Sequence, residues 1–186
     1  ENSYNYLFDI EKLSYLIGLD LWKDIAFNFL AKSPISKTAI PFYSFSLSNL
    51  IGSLKGKSKR IIILDLDNTL WGGNIGDLGI DKIELGSTSP IGEAFLYFQK
   101  YLLALRDRGV ILAVASKNNS ETALEAINNH PEMLIKEKHL AAYEINWKDK
   151  AQSILNICNK VKLSPQSAVF IDDNPFERGL VRDFVP

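Results

Sequence analysis

The 186-residue chain predicts an α/β fold of three layers, with a central, mostly parallel sheet between helices. Three observations predict it. Short apolar runs rich in β-branched residues recur at 61–64, 110–115 and 168–171, as in strands covered on both faces. Stretches of helical periodicity separate them, as crossovers between parallel strands require. Each run also stops at polar chemistry, first Asp65 and Asp67, then Ser116 and Lys117, then Asp172 and Asp173. Open α/β sheets form their ligand crevice at those carboxyl ends.

Composition narrows the function classes. Lys plus Arg number 21 against 22 Asp plus Glu, a formal charge of −1, which gives no general attraction to nucleic acid or to an acidic membrane. The basic residues Lys55, Lys57, Lys59 and Arg60 read as the solvated flank of a linker. One cysteine excludes an internal disulfide and fits a reducing compartment. Without a signal-like N-terminus or a long apolar span, the expected location is the cytoplasm. The chain opens without Met and closes on Val185-Pro186, so a piece of a longer protein is expected.

Two segments follow from texture: a mainly helical appendage over 1–58 and the α/β domain over 59–186. In the first, Ile10, Leu13, Leu16 and Ile17 keep helical spacing, with Gly18 as C-cap. A second helical piece starts near Asp20 or Asp24 and runs toward Lys32. Ser33-Pro34 and Pro41 break the pattern, and Phe45 to Leu54 forms a short helix before the Gly56-Lys57-Ser58 linker. Trp22, Phe27, Phe29 and Leu30 are read as ordinary packing.

In the second segment, the strand Ile61–Leu64 runs into Asp65-Leu66-Asp67. Two carboxylates this close either begin a turn by bonding their own backbone, or share a hard cation, or shift the pKa of one acid. An EF-hand loop is excluded, because its sixth position, which must be Gly, is Leu70 here. The Gly- and Asp-rich stretch Trp71 to Gly79 lacks dinucleotide spacing and is expected to form a turn or short hairpin over the strand tip, with Lys82 to Leu85 as return strand. A helix from Ile91 to Arg108 follows, its apolar face made of Ala94, Phe95, Phe98, Leu102 and Leu105, ended by Gly109.

The second strand, Val110–Ala115, leads to Ser116-Lys117-Asn118-Asn119 and a helix over 120–128. A hydroxyl and a cation beside a helix start suit an anion, although Ser116 and Asn119 can equally turn the chain. His130 and His139 have no metal-ligand spacing and read as surface or cap residues. A weaker strand is expected over 140–146. The helix from Asp149 to Val161 carries Cys158 on its apolar stripe, as an inert core thiol. Lysines at its start, Lys148 and Lys150, oppose the helix dipole and make sense where one faces carboxylates or a bound anion. The last buried strand, 168–171, precedes Asp172-Asp173-Asn174-Pro175 and a helix into Phe184. Parallel order would bring these tips to one edge. Four carboxylates, a hydroxyl and a lysine there describe a magnesium site that also binds phosphate.

The motifs Asp65-Leu66-Asp67-Asn68-Thr69, Ser116 after an apolar strand, Lys150 at a helix start and Phe170-Ile171-Asp172-Asp173-Asn174, in that order, resemble the four motifs of the haloacid dehalogenase superfamily. More narrowly, LDLDNTLWGG, SKN, INWKDK and FIDDNPFER look like the FkbH-like domain group, which is close to small magnesium-dependent phosphatases. Residues 18–34 are similar to the end of the esterase-like region that precedes this domain in longer members. The resemblance implies a Rossmann-like sandwich and a phosphatase that forms an aspartyl phosphate. It implies Asp65 as nucleophile, Asp67 as general acid and base, and Mg2+ held by Asp65, the Asp67 carbonyl and Asp173, with Asp172 orienting the site and holding Lys150. Ser116, Lys150 and neighbouring backbone N–H groups would bind the phosphoryl oxygens, with Lys117 and Asn118 beside them, while Thr69 supports the loop.

No insertion is large enough for a separate cap, so only the flap at 71–85 would cover the site. The expected substrate is a phosphorylated small molecule or a carrier-bound phosphate ester. Some FkbH-like members pass a glyceryl unit from an activated phosphoglycerate to an acyl carrier protein through a cysteine thioester, but this chain has Ala115 where they commonly carry that cysteine. A non-catalytic docking module is the further alternative.

Overall fold

A computed structural model describes residues 6–185, which fall in two compact units, Glu1–Ser58 and Lys59–Pro186. The first unit is helical. Helix α1 (Ile10–Ile17) begins where the Asp9 carboxylate accepts the Lys12 N–H at 2.8 Å and ends at Gly18, whose φ of 95° favours glycine. Two short helices follow, α2 (Leu19–Trp22) and α3 (Ile25–Ala31), the latter capped by Asp24. Helix α4 (Ile40–Leu54) starts earlier than Phe45, because Pro41 lies in the first turn, where a missing N–H costs nothing. Trp22 is buried, but Phe29 and Leu30 are exposed, so ordinary packing within this chain does not account for that stripe.

The second unit is a four-stranded, wholly parallel sheet in the order β3-β2-β1-β4, formed by β1 (Ile61–Leu64), β2 (Ile111–Ser116), β3 (Leu140–Ile145) and β4 (Ala168–Ile171). Its α-helices are α5 (Ile75–Leu78), α6 (Pro90–Asp107), α7 (Ser120–Asn129), α8 (Lys150–Val161) and α9 (Pro175–Phe184). Alternate residues of the central strands feed two cores. Ile62, Leu64, Leu112 and Val114 pack with Leu96 and Leu102 of α6 and Ile127 of α7. Ile61, Ile63, Ala113 and Ala115 pack with Ile154, Ile157 and Cys158 of α8 and Val181 of α9. Each fully buried isoleucine or leucine contributes about 1.5–3 kcal/mol.

Three expectations change. Strand β4 is half-buried rather than buried, because it lies at the edge of the sheet. The return strand at 82–85 does not form: α5 and a 3-10 turn at Ile80–Lys82 occupy the flap, and one antiparallel bridge, Gly72 with Glu84, closes it through two N–H···O bonds of 2.9 Å. On α6 the buried positions are Gly92, Leu96, Gln99 and Leu102, while Phe95 and Phe98 are only partly buried. His130 is a cap residue as read, the C-cap of α7, but a buried one, its Nδ1 accepting the Glu132 N–H, and burial pushes its imidazole pKa down.

Candidate active site

Hydrogen bonding between neighbouring strands sets the site. Because Leu64 pairs with both Val114 and Ile171, β1 and β4 end level, and β2 runs two residues further, to Ser116. Asp65 and Asp172, the residues just after β1 and β4, and Ser116, the last residue of β2, lie at one edge, all buried. Lys150 enters from the first turn of α8, whose cap is Asp149. Its ammonium lies 3.0 Å from Asp65 Oδ2 and 2.5 Å from Asp172 Oδ2. That is the carboxylate partner a lysine at a helix start needs. Burial alone would lower the Lys150 pKa, but Asp65 and Asp172 outweigh it and hold the ammonium above its usual range. Ala115, one residue before Ser116, is fully buried in the core.

Asp65 is incompletely satisfied. Its Oδ1 is buried without a hydrogen-bond partner. Burial pushes the carboxyl pKa up, and the Lys150 charge and the Ser116 hydroxyl oppose that without reversing it. Oxygens of Asp65, Asp172 and Asp173 lie within 4.8 Å of one another, close enough to hold a metal ion. An all-oxygen set with one orphaned carboxylate oxygen fits a hard cation. The two acids of β4's loop differ. Asp172 is buried, with Oδ2 on Lys150 and Oδ1 accepting the Asn174 N–H at 2.8 Å, whereas Asp173 is exposed. Arg178 pins their backbone by donating to the carbonyls of Asp172 and Asp173 at 2.6 and 2.8 Å.

Asp67 is held by three donors. Oδ1 accepts Trp71 Nε1–H at 2.8 Å and the Ile75 N–H at 3.1 Å, and Oδ2 accepts Asn118 Nδ2–H at 2.8 Å. The turn that allows this passes through Asn68 at φ 52°, a left-handed conformation that asparagine tolerates, with its side chain accepting the Gly73 N–H at 2.8 Å. Thr69 is buried, its Oγ1 without a partner. Lys117 points to Glu177, its Nζ 2.6 Å from Oε1. Among the sequence-derived residues, Asp65, Ser116, Lys150, Asp172 and Asp173 converge, Asn118 joins through Asp67, and Lys117 is engaged by α9. Sequence reasoning missed Trp71, Glu177 and Arg178. The first carried a signal, being a large apolar residue placed in a glycine-rich loop.

No protein-family model matches the chain, and no curated protein does. Among solved structures, the chain is similar to the N-terminal part of the protein BF1531 from Bacteroides fragilis, described as containing a phosphatase domain and complexed with Mg. The two are 39% identical, with a TM-score of 0.88 over 94% of this chain. The fold is haloacid dehalogenase-like. The chain spans 46% of that structure's length. A more distant overlap, at 13% identity and a TM-score of 0.48, covers 67% of this chain and 90% of the HAD family enzyme BT-2542 from Bacteroides thetaiotaomicron, crystallised with magnesium and inorganic phosphate. In haloacid dehalogenase-like terms, the acids of β1 and β4, the hydroxyl of β2 and the lysine of α8 occupy one sheet edge.

Proposed function

We propose that the chain is a magnesium-dependent phosphohydrolase of the haloacid dehalogenase type that hydrolyses a phosphate monoester through an aspartyl phosphate. The observation that carries this reading is Asp65, a buried carboxylate with one orphaned oxygen, beside Lys150 and two further acids. A buried ion pair and an uncompensated oxygen are costly, so a scaffold would gain by replacing them with apolar residues. Similarity to a phosphatase-containing protein complexed with Mg supports the reaction class and the metal.

In this reading a carboxylate oxygen of Asp65 attacks phosphorus as the bond to the leaving oxygen breaks, and Asp67 gives that oxygen its proton. Asp67 then takes a proton from water as the water attacks the aspartyl phosphate, releasing inorganic phosphate and restoring the Asp65 carboxylate. Ser116 and Lys150 bind the phosphoryl oxygens, and Lys150 remains anchored by Asp172. The cation would be held by the carboxylates of Asp65 and Asp173 and the Asp67 carbonyl. Bound there, magnesium supplies charge neutralisation between the Asp65 carboxylate and the phosphoryl group.

Glyceryl transfer to an acyl carrier protein is the weaker reading. Ala115 offers no thiol, and Cys158 is buried in the α8 core with its pKa pushed up by burial. Hydrolysis of p-nitrophenyl phosphate with magnesium, with chelator and by Asp65→Asn tests the proposal. Turnover is expected with magnesium alone, with loss of at least about 1,000-fold in the variant. Full activity of Asp65→Asn would overturn the covalent mechanism.

A further inference from the structure

We infer that Trp71 and Asn118 are positioning residues that clamp the Asp67 carboxylate from its two ends and make Oδ2 the oxygen that carries the catalytic proton. The inference rests on the phosphohydrolase reading and asks which atom of Asp67 acts and what holds it there.

The argument starts from acceptor capacity. A carboxylate oxygen offers two lone-pair sites. Oδ1 of Asp67 spends both, one on the indole N–H of Trp71 and one on the Ile75 N–H. A proton placed on Oδ1 would displace one of these donors. Oδ2 accepts a single bond, from Asn118. It can keep that bond and still carry a proton with the O–H directed away from the amide. So the protonated form that breaks no hydrogen bond has its proton on Oδ2, and the ionised form returns to the same geometry. The balance is simple: the Oδ2–H proton passes to the leaving oxygen as it receives the electron pair of the breaking P–O bond, and Oδ2 recovers a proton from the attacking water.

The clamp is built from rigid parts. Trp71 is fully buried in the core beneath the flap, so its N–H cannot turn to solvent. Its backbone is fixed by the next residue, Gly72, which pairs with Glu84 in both directions. A Cβ at Gly72 would lie 3.0 Å from both Glu84 Cβ and Phe95 Cε2, so the close approach that seats the indole uses a glycine. On the other side Asn118 is buried just beyond the tip of β2, between Lys117 and the cap residue Asn119. The two donors therefore come from separate elements, the β1 flap and the β2 tip. Neither needs to move for Asp67 to change its proton.

A proton donor matters most when the leaving group is a poor one, and leaving-group dependence separates positioning from general loss of structure. The experiment compares kcat/KM, which reports the first transfer, for p-nitrophenyl phosphate and for an alkyl phosphate, in wild type, Trp71→Phe, Asn118→Ala and Asp67→Asn. The phenylalanine keeps most of the apolar volume and removes the N–H. In Trp71→Phe the alkyl ester is expected to lose at least about tenfold more kcat/KM than the aryl ester, with Asp67→Asn showing the same selectivity more strongly. Asn118→Ala should show it too, and decides the matter if circular dichroism finds Trp71→Phe unfolded. Equal losses on both esters, or none, would overturn the clamp while leaving the phosphohydrolase standing. Wild type that turns over neither ester would remove that reading, and the clamp with it.

Discussion

Lys150 carries more of the site's electrostatics than any other residue, since its ammonium meets two buried carboxylates. Removing it would strand Asp65 and Asp172 without their counter-charge in a low-dielectric pocket. Lys150→Met, which keeps the stem and deletes the charge, is expected to lower unfolding free energy in chelator by about 3–5 kcal/mol, read from urea melts. A loss below about 1 kcal/mol would show that solvent reaches these acids and that the pair is not buried in effect. The sequence announced this residue by an anomaly: a lysine opening a helix against its dipole. It could not announce Trp71 as a hydrogen-bond donor, because an indole in a glycine-rich loop reads first as apolar packing. Nor could it tell that Lys117 turns to Glu177, because that pairing spans 60 positions and exists only once β2 and α9 are neighbours.

At the scale of elements, α6 shows how a polar residue can be a core residue. Gln99 is fully buried, and its side chain donates to the Leu70 carbonyl at 2.8 Å and accepts the N–H groups of Leu134 and Ile135 at 2.9 and 3.1 Å. It ties the turn after β1, the helix and the chain before β3 into one block. Gln99→Leu would fit the apolar face yet leave three backbone groups unpaired, and is expected to cost about 2–4 kcal/mol by chemical denaturation. The helical pattern located α6 to within a residue at each end, but it placed the buried face toward Phe95 and Phe98, and an amide at a core position gives no periodic signal. Strands were legible from their apolar runs, whether buried like β1 or half-buried at the sheet edge like β4. β1 and β4 fall where their apolar runs fall, and the flap, expected as a turn or short hairpin, has no return strand because single bridges rather than a ladder hold its backbone.

For the molecule as a whole, a cation bound only by the folded state raises stability by mass action. Magnesium at about 100 times its dissociation constant should add about 2.7 kcal/mol to unfolding free energy. Asp173→Ala should abolish that gain while melting like wild type in chelator, since Asp173 is exposed and its side chain holds no other group among the described residues. A gain that persists in the variant would reassign the ligands. The exposed apolar residues of the first unit, Leu7, Leu16 and Leu30 among them, mark the part of the chain whose surroundings its own sequence explains least.

The pairing of Asp67 with Asn118, 51 positions apart, and of Lys117 with Glu177 has a consequence in time as well as in space. Parallel strands joined through long crossovers are slow to find one another. The acids that follow β1 are made before those that follow β4, and α9 is needed to engage Lys117. A ribosome extending this chain therefore completes the cluster of Asp65, Asp172 and Asp173 only after β4 has emerged and docked beside β1.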